Sequence, residues 1–228
     1  MPSSNQQLSL SIPRRPKAKP RWGGKRENAG APRRLEHAEL KHRSRAPFRK
    51  SAPLHVTLRK VVGVYNLRSR RSANAIKLAI LGGADRFGVR VVQLSVQGNH
   101  IHLLVEAPDQ IALGRAMKGL GVRIARRMNA MMGRTGQVIG DRYHARRLQT
   151  PTEVRTVMHY IRHNHQHHGY GRAAVDEFSS DVEFASVVAP ARLWLVTTGW
   201  RRGRVRQLEE PLLAIDGVRG DPRFARGL

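Results

Sequence analysis

Residues 89–107 constrain this chain more than any other stretch. VRVVQLSVQ (89–97) and HIHLLVEA (100–107) are short β-branched runs separated only by Gly98-Asn99, and such a pair reads as an antiparallel hairpin. The Gly-Asn link predicts a tight turn with positive φ. An isolated hairpin is marginal in water, so further strands or a covering helix are required. The flanking sequence supplies both. LHVTLRKVV (54–62) reads as a strand, and SANAIKLAILGGADRFG (72–88) as a helix stopped by Gly88 after Phe87. ALGRAMKGLGVRIARRMNAMM (112–132) is a long amphipathic helix whose Arg115, Lys118, Arg123, Arg126 and Arg127 form a basic stripe. QVIGDRYHARRLQ (137–149) is expected to hold a loop and a fourth strand, and Pro151 with TEVRTVMHYIRHNHQHH opens another helix with Thr152 as N-cap.

The order strand, helix, strand, strand, helix, strand, helix predicts an α+β, ferredoxin-like split βαβ fold. That is an antiparallel sheet with helices on one face, plus an extra C-terminal helix. Three regions are expected: a basic flexible arm over 1–50, the folded domain over 51–170 and a C-terminal extension over 171–228. Pro13, Pro16, Pro20 and Pro32 interrupt any helix in the arm. Its GGKRENAGAPRR (23–34) suits an extended chain following a minor groove, or a generic basic tail.

Charge selects the partner. Across 228 residues, 42 Lys and Arg stand against 16 Asp and Glu, a formal net charge of +26. The first 50 residues carry +11, the next hundred +13 and the last 78 only +2. Repulsion on that scale is relieved by a polyanion, and nucleic acid is the expected one. No apolar run approaches the ~20 residues of a bilayer span, and the N-terminus lacks the apolar segment of a secretory signal. The absence of cysteine excludes disulfides, zinc ribbons and thiol catalysis. The same absence fits a cytoplasmic protein.

Candidate chemistry lies in two short patterns. His100 and His102 are i and i+2 on a strand, so both imidazoles share one face and can chelate one divalent cation. Two ordinary surface histidines fit the same pattern. Tyr160 and Asn164 are i and i+4 on a helix, which stacks a hydroxyl above an amide oxygen suited to Mg or Mn. A tyrosine packed in the core and an asparagine capping the helix fit equally well. Together with a polyanionic partner, the four residues suit phosphodiester chemistry: a cation against the phosphate oxygens and a hydroxyl nucleophile.

GNHIHLLVEAP (98–108), DRYHARRLQTPTEV (141–154) and VMHYIRHNHQHHG (157–169) resemble the single-tyrosine HUH transposases of insertion-sequence type, in particular the REP-associated tyrosine transposases of bacteria. FSS (178–180) and WLVTTGW (194–200) are similar to tails seen in such proteins. The resemblance implies a nuclease that cleaves and rejoins single-stranded DNA next to a hairpin through a 5′-phosphotyrosine. It implies that His100, His102 and Asn164 hold Mg or Mn, that Tyr160 is the nucleophile, and that the protein acts as a monomer or homodimer. His165 follows Asn164 where many relatives carry proline, so the helix is free to run on, and His163, His165 or His168 are alternatives to Asn164 as third ligand.

Arg123, Arg126, Arg127, Arg142, Arg146 and Arg147 are expected to contact DNA phosphates, positioning the strand without reading its sequence. Tyr143 is expected in core packing or base stacking, His55 as a satisfied structural histidine unless a central first strand brings it to the site, and Trp22, Trp194 and Trp200 mainly in packing. Two other functions compete. One is a catalytically inactive or domesticated DNA- or RNA-binding protein on the same fold. The other is a histidine-triad nucleotide hydrolase, which expects a third histidine where Leu104 stands.

Overall fold

Alternate residues of the strands divide into an apolar set and a polar set, and the fold buries both. The computed structural model describes residues 47–206 except 84–85, 141, 171–172 and 174. The arm with GGKRENAGAPRR and Trp22 lies outside the described residues. Strands β1 (Ala52–Arg59), β2 (Arg90–Val96), β3 (His100–Ala107) and β4 (His144–Arg147) form one sheet in the order β2-β3-β1-β4. All three pairings are antiparallel. With helices α1 (Arg70–Leu81) and α2 (Gln110–Met132) between the strands, this is the expected ferredoxin-like arrangement.

Leu54, Val56 and Leu58 of β1 and Ile101, Leu103 and Val105 of β3 point to one side, into the main core beneath α1 and α2. The opposite side carries His55, Thr57, His100, His102 and Leu104. That side is covered by α3 (Pro151–His167), through a smaller core of Leu104, Leu148, Val154, Val157, Tyr160, Ile161 and Val196. We call the two sides the α1/α2 face and the α3 face.

Several local expectations shift. β1 begins and ends earlier than 54–62: Lys60 still pairs, its N–H on Asn99 O at 2.9 Å and its backbone bridged to Ile139, and the chain then turns through Gly63 at φ 81°. α1 stops at Leu81 instead of running to Gly88, with Gly82 as C-cap. The Arg123 guanidinium occupies the space where a Cβ on Gly83 would lie, so a side chain there would displace it. The Gly98-Asn99 turn does not use positive φ. Its two carbonyls instead accept from Leu67 N–H (3.0 Å) and Lys60 N–H (2.9 Å), so the chain after β1 holds the turn. The Tyr170 hydroxyl sits where a Cβ at position 98 would be, so a side chain there would displace it.

α3 is capped by Thr150 rather than Thr152. Thr150 Oγ1 accepts from Glu153 N–H at 3.2 Å, and Glu153 reaches back to Thr150 N–H at 3.1 Å. Pro151 therefore occupies the first helical position, where no N–H is required.

The chain beyond α3 packs closely on the domain. Phe178 O accepts from Val96 N–H and Ser180 N–H donates to Leu94 O, both at 2.9 Å, so residues 178–180 cover the outer edge of β2. Asp176, fully buried, holds Arg68 at 2.9 Å and accepts from Ser95 Oγ at 2.9 Å. Glu106 accepts from Arg192 N–H and Leu193 N–H at 3.0 and 2.8 Å, anchoring the short helix α4 (Trp194–Thr197). Among the described residues, no helix is long and apolar enough to cross a membrane.

Candidate active site

The α3 face brings His100, His102 and Tyr160 together within one chain. The two imidazole centroids are 4.5 Å apart and nearly perpendicular. Tyr160, the tenth residue of α3 and 8% exposed, reaches over the sheet until its hydroxyl is 3.4 Å from His102 Nε2. His55, opposite Leu104 on the central strand β1, brings Nε2 to 3.1 Å from His102 Nδ1. Thr57 Oγ1 is 3.2 Å from the same nitrogen. His55 is thus part of the cluster, the alternative that depended on its strand being central. The strand order explains this, since β1 lies between β3 and β4.

These contacts define which ring nitrogens remain available. His100 Nδ1 is 2.6 Å from the Asn99 side-chain oxygen, an acceptor that places the proton on Nδ1 and the lone pair on Nε2. With the His102 proton on Nδ1 and donated to His55 Nε2, its Nε2 lone pair faces Tyr160. Burial makes the protonated forms costly. It lowers His100 to about 3, helped by His168, Arg59 and His55, and lowers His55 to about 4, helped by His144 and Arg146. His102, fully buried, is also lowered, first by burial and then by His100 and His55. Near neutral pH all three rings are neutral.

One turn after Tyr160, Asn164 is 1% exposed, and neither its amide oxygen nor its amide nitrogen has a hydrogen-bond partner. It does not cap α3, which continues to His167. His163 turns outward, bonding His159 O at 2.8 Å and stacking on the His159 ring. His165 turns to Ala173 O, also at 2.8 Å. Of the alternatives on this helix, His168 is the one near the pair, its ring 5.1 Å from that of His100.

The family model described as "Transposase IS200 like" matches residues 55–164, the span from His55 to Asn164. Residues 55–164 carry the pattern of that transposase family. Among solved structures, it resembles a REP-associated tyrosine transposase bound to a REP hairpin, at 14% identity and a TM-score of 0.51. That match covers 62% of this chain and 82% of the other and supports the shared fold. A putative transposase from Deinococcus radiodurans matches at 21% identity and a TM-score of 0.38, over 52% of this chain and 94% of the other. No curated protein gives a significant match.

IS200-like transposases are associated with divalent metals, and the donor set of this chain fits such an ion. His100 and His102 are neutral imidazoles, and one helical turn after Tyr160 an amide oxygen is buried without a partner. Among the described residues there is no group of three or more His, Cys, Asp or Glu able to hold a metal. The candidate ligands here are two histidines and one amide. Asn99 and His55 occupy the outer-shell positions that fix ligand tautomers in metal sites.

The six arginines expected on DNA do not share one surface. Arg123, Arg126 and Arg127 ride on α2, which covers the face away from the histidines. Arg123 is committed to the fold, donating from Nε to Ala79 O at 2.7 Å, whereas Arg126 and Arg127 are exposed. Arg147 also points to the α1/α2 face, its guanidinium 6.0 Å from the Phe48 ring. Arg146 is on the α3 face opposite His55, paired with Glu153 at 2.5 Å. Arg142 is exposed just before β4. Tyr143 packs against the main core with its hydroxyl beside Gly114 of α2.

Sequence reasoning missed Arg59. It is exposed, lies opposite His100 in the register, and is near enough to lower that histidine. Its alternation with His55 and Thr57 was the available signal.

Proposed function

We propose that this protein cleaves and rejoins single-stranded DNA beside a hairpin, with Tyr160 as the nucleophile. The observation that carries this reading is the 3.4 Å approach of the buried Tyr160 hydroxyl to His102 Nε2, with His100 alongside. Tyr160 Oη attacks the scissile phosphorus and loses its proton. The bond from phosphorus to the 3′-oxygen breaks, and that oxygen leaves with the electron pair and takes up a proton. The products are a 5′-phosphotyrosine and a free 3′-OH, and a 3′-OH attacking the linkage reverses the step or joins a new end.

His100 and His102, with Asn164, would hold Mg or Mn, which when bound neutralises charge on the non-bridging phosphate oxygens. Asn99 and the His55–Thr57 pair keep the two rings oriented. α3 covers the pocket and limits water that would compete with the tyrosine. Arg59 and Arg142 suit contacts to the reacting strand, and Arg126 and Arg127 suit phosphates on the far face. In this reading residues 51–170 are the catalytic domain, 1–50 a basic arm and 171–228 an extension, acting on DNA in a bacterial cytoplasm as a monomer or homodimer.

The test is incubation with a labelled single-stranded hairpin DNA and Mg or Mn, followed by a denaturing gel. A covalent adduct is expected, abolished by Tyr160→Phe and strongly reduced by His100→Ala or His102→Ala. DNA binding without an adduct from the wild-type protein would favour an inactive DNA-binding protein on this fold.

A further inference from the structure

The most basic part of the C-terminal extension lies on the α3 face, and its charge is hidden in the nearly neutral total of that third of the chain. Residues 192–206 contain five arginines and no Asp or Glu. The two tryptophans here have different settings. Trp200 is half-buried against the small core that contains Tyr160, with Arg155 and Arg201 6.0 and 5.8 Å from its ring. Trp194 is 50% exposed.

Trp194 is nevertheless held in place. A Cβ on Gly199 would lie 2.7–3.1 Å from three atoms of its benzo ring, so glycine seats the ring on the backbone. Thr198 N–H returns to Trp194 O at 2.9 Å, closing the turn beneath it. The Arg202 guanidinium is 5.5 Å from the ring centroid and solvent-exposed. A large aromatic ring fixed by backbone, half open to water and beside free cations has the chemistry of a base-stacking platform.

The course of the chain connects this surface to the reactive tyrosine. Arg155 Nη1 donates to Gly203 O at 2.8 Å. Arg204 N–H meets Thr152 Oγ1 at 3.5 Å and Arg206 N–H meets Thr156 Oγ1 at 3.1 Å. Residues 203–206 therefore run along α3 toward Tyr160, which lies one turn beyond Thr156. Arg204 and Arg206 are exposed along this course.

We propose that Trp194, seated on Gly199 and flanked by Arg202, stacks an unpaired base of the DNA strand approaching Tyr160, while Arg202, Arg204 and Arg206 contact its phosphates. The inference rests on the DNA-cleaving reading and extends it by a contact for unpaired nucleotides outside the histidine cluster. Stacking needs an unpaired base, so the site distinguishes single strands from duplex. An acidic protein partner would use the arginines without requiring the ring.

The test measures binding of the full chain to an unstructured single-stranded oligodeoxynucleotide and to a blunt duplex of equal length. Trp194→Ala is expected to weaken single-strand binding about tenfold and leave duplex binding nearly unchanged, and Trp194→Phe to restore most of the loss. The single strand is expected to quench tryptophan emission in the wild-type protein and much less in Trp194→Ala. Arg202→Gln should reduce the salt dependence by about one phosphate contact. Unchanged single-strand binding in Trp194→Ala, an equal loss on duplex, or no rescue by phenylalanine would overturn the platform while leaving the cleavage reading intact. Failure of the wild-type protein to bind either DNA would overturn the cleavage reading itself.

Discussion

The two faces of the sheet are buried to a similar degree and built for opposite purposes. On the α1/α2 face, Val56, Leu103 and Val105 are 0% exposed and belong to the apolar main core. On the α3 face, His102 and Ser95 are also 0% exposed, yet they carry hydrogen-bonding groups that lose water on burial. Adjacent residues of one strand thus do different work: Leu103 drives folding, while His102 is held neutral beside a tyrosine. Apolar burial beneath α1 and α2 supports a face whose polar groups would not stabilise a fold by themselves.

This contrast is broken most strongly by exchanging a residue on each side. Leu103→Ala is expected to cost about 2–5 kcal/mol of stability, read from denaturant unfolding, with cleavage per folded molecule little changed. His102→Ala is expected to behave in reverse. Metal affinity, measured by calorimetry, and adduct formation should each fall by more than about a hundredfold, the upper end for outer-shell losses, with a smaller change in unfolding free energy. Equal behaviour of the two variants would erase the distinction between the faces.

His55→Ala sharpens the comparison on the polar side. It removes the partner of His102 Nδ1 and should lower metal affinity about 10–100-fold, an effect on ring orientation that binding measurements detect without any cleavage assay.

Acid separates the faces by charge. In the metal-free protein His55 and His100 are lowered from 6.5 to about 4 and about 3. As pH falls below 6.5 the unfolded chain takes up protons that the folded rings refuse. Their contribution is complete above that value and is lost toward the folded values, with a slope approaching about 1.4 kcal/mol per pH unit for each histidine. Denaturant unfolding between pH 7 and pH 4 checks this, and His55→Gln should make the dependence shallower. The smallest effect belongs to the far surface: Arg126→Ala should reduce the log–log salt slope of DNA binding by about 0.9 and leave metal affinity unchanged.

What could be read from sequence follows from periodicity. The strand alternation that puts Ile101 on one face and His102 on the other is local, and the helical spacing of Tyr160 and Asn164 is equally local. His55 was legible only conditionally, because its place beside His102 depends on β1 lying between β3 and β4. Arg123 looked like its neighbours in the basic stripe, and only the packing of α2 on α1 turns its Nε to Ala79 O. Gly98 was recognised as a turn residue, but without the positive φ expected of it; what lies against it is Tyr170, distant in sequence. Thr150 was legible in principle, because Pro151 and Glu153 stand at the spacing of a capping box. The packing of residues 176–206 was not, because it is set by irregular backbone bonded to Leu94, Val96 and Glu106.

The central claim is that Tyr160, poised by the polar face, forms the bond to DNA. Peptide mapping by mass spectrometry of the wild-type adduct tests it directly. The account predicts a single modified tryptic peptide carrying a 5′-linked nucleotide on Tyr160, absent from Tyr160→Phe. Attachment at Tyr65, Tyr143 or Tyr170, or an undiminished adduct in Tyr160→Phe, would contradict it.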